Sequence, residues 1–213
     1  MNIEHMIQSF GPTLGLIFVA LVVFAESGLL IGFFLPGDSL LFTAGFLASQ
    51  SFLDIRFLAV LTFFAAVIGD SVGYAFGRRV GRKLFHKQDS LLFSKHNLEA
   101  AEKFYEEHGK KTIVLARFMP VIRTFAPIVA GIGSMDYKTF ISYNVIGGFI
   151  WSVGLTMAGY FLGKTIPDVD KYLLPIIVII VFFSVAPSAY HILKEENHRK
   201  QIMKLLKKPF EKK

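Results

Sequence analysis

The chain has 213 residues, no cysteine, 53% hydrophobic residues and a mean hydropathy of +0.52. These values exclude a disulfide scaffold, a thiolate metal centre and an ordinary soluble domain. The formal charge of +7 gathers beside apolar runs, so attraction to anionic headgroups explains it more simply than nucleic-acid binding.

Residues 1–10 predict a short interfacial segment, with Ile3, Met6, Ile7 and Phe10 at helical spacing. No Lys or Arg precedes the first apolar run, which is therefore expected to be retained rather than removed as a signal peptide. Residues 12–34 can cross a bilayer once, with Glu26 as their only charge. Pro36-Gly37 then breaks the run, because proline lacks an amide hydrogen and disfavours helix in the residue before it. Residues 39–48 are apolar but too short to span, and suit one arm of a re-entrant hairpin. Residues 57–77 predict the next span. Gly69, Gly73, Gly77 and Gly81 form a bare stripe along it that admits another helix, with Asp70 beside the stripe.

Residues 94–108 predict an amphipathic surface helix with Leu98, Ala101 and Phe104/Tyr105 on its apolar face, ended by Gly109. Residues 112–134 form a second broken segment, interrupted at Pro120 and Pro127, and residues 139–163 and 172–192 predict two further spans. The tail 194–213 is basic and weakly amphipathic. Arg78, Arg79 and Arg82 read as headgroup anchors, Asp168 and Asp170 as an external loop, and Trp151 as packing. The histidines show no metal-ligand spacing, and no Walker, zinc or nucleophile-elbow motif occurs.

Nine Lys/Arg lie between Arg78 and Lys111 and eight from Lys194 onward, against one in Gln50–Arg56 and two in Lys164–Lys171. The positive-inside rule makes the two rich regions, 78–111 and the tail, cytoplasmic. The halves of the chain also resemble each other. Phe34-Leu-Pro36 matches Phe118-Met-Pro120, Ala44-Gly45 matches Ala130-Gly131, and Gly73-Tyr-Ala-Phe-Gly77 matches Gly159-Tyr-Phe-Leu-Gly163, at offsets of about 84 to 86 residues. The first copy ends at the basic side and the second at the poor side, so the copies are expected to run in opposite directions. The expected fold is all-α and integral to the membrane: an inverted-repeat bundle with two opposed re-entrant hairpins plus spanning helices. Its domain is 1–193, with halves of about 12–83 and 112–165.

Glu26, Asp38, Arg117 and Arg123 lie in apolar surroundings. Each charge costs roughly 2.5–3.5 kcal/mol at a helix centre, so they must be paired or line a polar cavity. A guanidinium fork suits phosphate, which makes Arg117 and Arg123 candidates for a lipid-phosphate seat. A carboxyl withdrawn from water favours its neutral form, which makes Glu26 and Asp38 candidates for proton coupling. A purely structural ion-pair network is the competing reading. Asp70 stands open between an accessory and a structural role.

The combination Glu26-Ser-Gly, Phe34-Leu-Pro36-Gly37-Asp38, Gly69-Asp70-Ser-Val-Gly73 and Ala116-Arg117-Phe-Met-Pro120-Val-Ile-Arg123 resembles the DedA family of the VTT-domain group, over about residues 12–193. The resemblance implies a multi-pass protein of the bacterial inner membrane that moves lipids between leaflets in a manner dependent on the proton motive force. It also implies functional roles for Glu26, Asp38, Arg117 and Arg123. The lipids implied are undecaprenyl phosphate or phospholipids such as phosphatidylethanolamine. The expected partners are membrane lipids and protons, with no nucleic acid, no cofactor and no enzymatic activity; a homo-oligomer stays open. Rival expectations are a proton-coupled carrier of a small ion or osmolyte and a lipid-phosphate enzyme.

Overall fold

The computed structural model describes residues 3–30, 32, 35–80 and 95–165. The expected span 172–192, the tail, Gly81, Arg82, Asp168 and Asp170 lie outside the described residues. All regular elements among those described are helical: α1 (Ile3–Gly28), α2 (Gly37–Ser49), α3 (Ile55–Val80), α4 (Lys95–His108), α5 (Thr112–Leu115), α6 (Pro120–Ile132), α7 (Tyr137–Gly148) and α8 (Gly154–Thr165). A π-helical turn, Phe149–Val153, joins α7 to α8 without a break.

Three stretches are long and apolar enough to cross a membrane: Gly11–Gly28, Ile55–Val80 and Tyr137–Thr165. At 1.5 Å per residue they reach about 27, 39 and 43 Å, against a hydrocarbon core of roughly 30 Å. Their outer faces carry bulky apolar side chains, among them Leu21, Phe57, Phe64, Phe149 and Phe161, which are all exposed. A protein in water would bury such faces, whereas in lipid they face their natural solvent. The chain is accordingly an all-α membrane protein.

The short helices α2 and α6 have 13 residues each, or about 20 Å, too short to cross. Each starts at a proline. Pro36 precedes α2 directly, after turns in which the Gly32 amide donates to Leu29 (2.8 Å) and the Leu35 amide to Gly32 (2.9 Å). Pro120 is the first residue of α6, and Met119 before it is extended (φ −121°, ψ 106°), as a pre-proline residue prefers. Pro127 does not break the chain, contrary to the expectation from sequence. α6 runs through it, and the proline lies against the bare backbone of Gly73, where an added Cβ would be 3.4 Å from Pro127 Cβ. The lost hydrogen bond at Pro127 is one among many in a helix held by tertiary packing. Within α1, Gly11 is non-helical (φ +72°, ψ 166°), a conformation that suits glycine, and it sets residues 3–10 off from the span Gly11–Gly28.

α2 lies along α8, and α6 lies along α3. Glycines make both approaches close. A Cβ on Gly45 or Gly159 would collide with backbone of the facing helix at Thr156 or Phe42, and one on Gly131 or Gly77 with Tyr74 or Ile128. α1 packs on α3 through Gly28 and Gly69. The main core joins Val19 and Val23 of α1 to Leu40, Leu41, Phe46 and Leu47 of α2, Leu58 and Ala66 of α3, and Trp151. α4 rests on α6 through Ala101, Phe125 and Val129.

Candidate functional site

The charged residues meet where α1, α2, α3, α6 and α7 converge, and they form two centres. In the first, Arg123 holds two acids. Its Nη2 donates to Glu26 Oε1 and its Nη1 to Asp38 Oδ1 at 3.0 Å. Glu26 comes from the last turn of α1 and is fully buried, whereas the side chain of Asp38, in the first turn of α2, is 42% exposed. Gly37 makes the arrangement feasible, because a Cβ there would overlap the Glu26 carboxylate. The Pro-Gly pair thus starts α2 and leaves space for an acid from α1. That space lies at the positive end of α2, which favours a carboxylate.

In the second centre, Arg117 Nη2 donates to Asp70 Oδ2 and to Asn144 Oδ1, both at 2.5 Å. Asn144 Nδ2 in turn donates to the Val67 carbonyl at 2.9 Å, which fixes the orientation of the amide. The two charged side chains of this centre are 4% and 6% exposed. Gly147 and Gly148 of α7 admit the arginine: a Cβ on Gly147 would be 3.1 Å from Arg117 Cδ and 3.2 Å from Nε.

Trp151 touches both centres. Its indole Nε1 donates to Asp38 Oδ1 at 2.7 Å. The guanidinium carbons of Arg117 and Arg123 lie 5.8 and 5.5 Å from its ring centroid, within cation–π reach. Three carboxylates therefore face two guanidinium groups. With every group ionised the cluster carries one surplus negative charge, and a single bound proton removes it. Three buried atoms of the cluster, Glu26 Oε2, Arg117 Nε and Arg123 Nε, have no hydrogen-bond partner among the described residues. Among the described residues no group of three His, Cys, Asp or Glu side chains could hold a metal ion.

Four sequence candidates thus converge with Asp70, but their pairing is uneven. Arg123 takes both Glu26 and Asp38, and Arg117 takes Asp70. Pro36, Gly37 and Pro120 sit at the starts of the two short helices, and Gly37 lies against the Glu26 carboxylate. Trp151 and Asn144 are additional members of the site. Asn144 is a polar amide within an apolar span, which is a signal available in sequence. Trp151 carries none that separates it from packing residues.

A bundle of apolar helices closed around buried, hydrogen-bonded ion pairs defines a polytopic membrane protein with an internal polar site. The chain belongs to the DedA family of VTT-domain membrane proteins, matching the VTT domain over residues 35–161. It is 48% identical over 178 residues to Protein DedA of Escherichia coli strain K12, covering 83% of this chain and 81% of that one. An uncharacterized membrane protein of Mycobacterium leprae is 44% identical over 167 residues, covering 78% and 74%. An uncharacterized membrane protein of Mycobacterium tuberculosis strain H37Rv is 35% identical over 169 residues, covering 76% of each. No solved structure matches the chain.

Proposed function

We propose that this protein is a proton-coupled lipid transporter, a flippase or scramblase for a lipid with a phosphate headgroup. The observation that carries the reading is the double hold on Arg123 by Glu26 and Asp38, with Asp38 open enough to exchange protons. With both acids ionised, the guanidinium is occupied and the centre repels a further anion. Protonation weakens each carboxylate's hold, because a neutral carboxyl loses the charge term of the bond. Arg123 is then free to bind a phosphate oxygen pair, and its Nε, without a partner among the described residues, adds a donor. Deprotonation restores the carboxylates and expels the phosphate. Proton and anion binding thereby favour each other, so an acid outer face would drive the phosphate inward.

The reciprocal packing of α2 on α8 and α6 on α3 supports opposed re-entrant hairpins in an inverted repeat, with the two short helices as inner arms. On that reading residues 78–111 are cytoplasmic, the membrane is the bacterial inner membrane, and the acyl chains stay in lipid while the headgroup enters between the arms. Undecaprenyl phosphate and phosphatidylethanolamine are the candidate cargoes. The test is purified protein in liposomes carrying fluorescent phosphatidylethanolamine or a polyprenyl phosphate, with leaflet accessibility followed with and without a pH gradient. Accelerated lipid movement is expected; flux of a small ion without lipid movement would overturn the reading.

A further inference from the structure

We infer that Trp151 is a positioning residue that ties Asp38 to both arginines and reports the protonation state of the site. The role given to it deepens the proton-coupled reading above, but its geometry does not depend on what is transported. Three contacts converge on one side chain: the indole N–H on Asp38 Oδ1, and both guanidinium groups near the ring. Trp151 is also the middle residue of the π-helical turn Phe149–Val153, which interrupts an otherwise α-helical stretch of 29 residues. Such single π turns often mark functional positions. The next residue, Ser152, is anchored separately by its hydroxyl bond to Thr62 at 2.9 Å, and Thr62 donates to the Leu58 carbonyl. The backbone that carries the indole is thus fixed against α3 while the ring reaches α2.

The consequence follows from hydrogen-bond stoichiometry. Asp38 Oδ1 accepts from both Arg123 and Trp151. When Arg123 turns toward an anion, the indole N–H still holds the carboxyl in place, so Asp38 stays poised to reclaim the arginine. The ring also lies within cation–π reach of both guanidinium groups, while Arg117 stays bonded to Asp70 and Asn144. Charged groups facing Trp151 are Asp38 from α2, Arg123 from α6 and Arg117 before it. Glu26 of α1 and Asp70 of α3 act on it through their arginines.

The chain contains one tryptophan, so its intrinsic emission reads this site alone. The full-length protein in nanodiscs of zwitterionic lipid is titrated from acid to alkaline pH while tryptophan emission is recorded. The expected result is a single transition in emission wavelength or intensity that is lost in Asp38→Asn and kept in Asp54→Asn, an acid of an exposed loop paired with Arg56. A flat wild-type titration, or an unchanged transition in folded Asp38→Asn, would overturn the inference. Trp151→Phe keeps a ring and deletes the N–H donor. The pH midpoint of transport should move to the alkaline side by about one unit, the worth of a hydrogen bond to a charged group. An unmoved midpoint would also overturn the inference. Emission that titrates through Asp38 in a protein moving no lipid would leave the positioning role intact and sink the transport reading instead.

Discussion

Replacing Arg117 by Gln tests the second centre at its root. Arg117 Nη2 bonds Asp70 and Asn144, and the paired charges are nearly inaccessible. The substitution leaves the Asp70 carboxylate buried without its cation. Breaking one partner of a buried pair costs about 3–5 kcal/mol, and an Asn144 oxygen deprived of its donor adds about 1–3 kcal/mol. A protein with a total stability of about 5–15 kcal/mol feels such a loss. At about 2–4 °C per kcal/mol for a domain of this size, the melting temperature should fall on the order of 10 °C. Asp70→Asn added to Arg117→Gln removes the stranded charge and offers an amide pair of similar shape, so it should recover much of the loss. The assay is thermal unfolding in detergent of the wild type, both single variants and the double variant, read as a double-mutant cycle. Losses that simply add would refute the pairing of Arg117 with Asp70. A larger coupling of Arg117 to Glu26 or Asp38 than to Asp70 would refute the division into two centres.

Further outcomes follow from the same geometry. Arg123→Lys keeps the charge but loses the fork that reaches Glu26 and Asp38 from separate nitrogens. Lipid transport in proteoliposomes should fall at least about tenfold, the effect of one lost charge-assisted bond; an unchanged rate would remove the phosphate seat. Asp38→Asn cannot lose or gain a proton. Transport should become less dependent on pH on the acid limb, where the wild type gains activity as the carboxylate is protonated, and a wild-type pH profile would contradict the coupling role. Gly159→Ala drives a methyl into the Phe42 carbonyl of α2. Destabilisation of about 1–3 kcal/mol is expected in thermal unfolding, whereas Gly154→Ala, whose Cβ meets nothing among the described residues within 4 Å, should be neutral or stabilising.

The parts legible in sequence were those with punctuation or charge. Pro36-Gly37 and Pro120 mark where short helices begin, since a proline amide cannot continue a preceding helix and suits a first turn. The glycine stripe on α3 foretold close helix contact, and it receives α1 at Gly69 and α6 at Gly73 and Gly77. The conspicuous charges marked the site, but their partners did not follow from it. Two arginines and two acids of the broken segments invite an even pairing, while Asp70 on α3 in fact takes Arg117 because α7 brings Asn144 and two glycines around that guanidinium. Pro127 looked like a break because a proline's local preference is visible and the tertiary seat at Gly73 is not. Trp151 reads as one more aromatic in an apolar span. Its role depends on a π turn that leaves no composition signature and on a carboxylate more than a hundred residues away in the chain.

The central claim is that proton binding at Glu26 and Asp38 favours the binding of a phosphate-bearing lipid at Arg123. The most direct measurement is leaflet exchange of a labelled polyprenyl phosphate in proteoliposomes under an imposed pH gradient, for wild type and Glu26→Gln/Asp38→Asn. Exchange accelerated by the gradient in wild type and indifferent to it in the double variant is the predicted result. Wild-type exchange equal to that of protein-free vesicles, or a double variant that keeps the full response to the gradient, would contradict it.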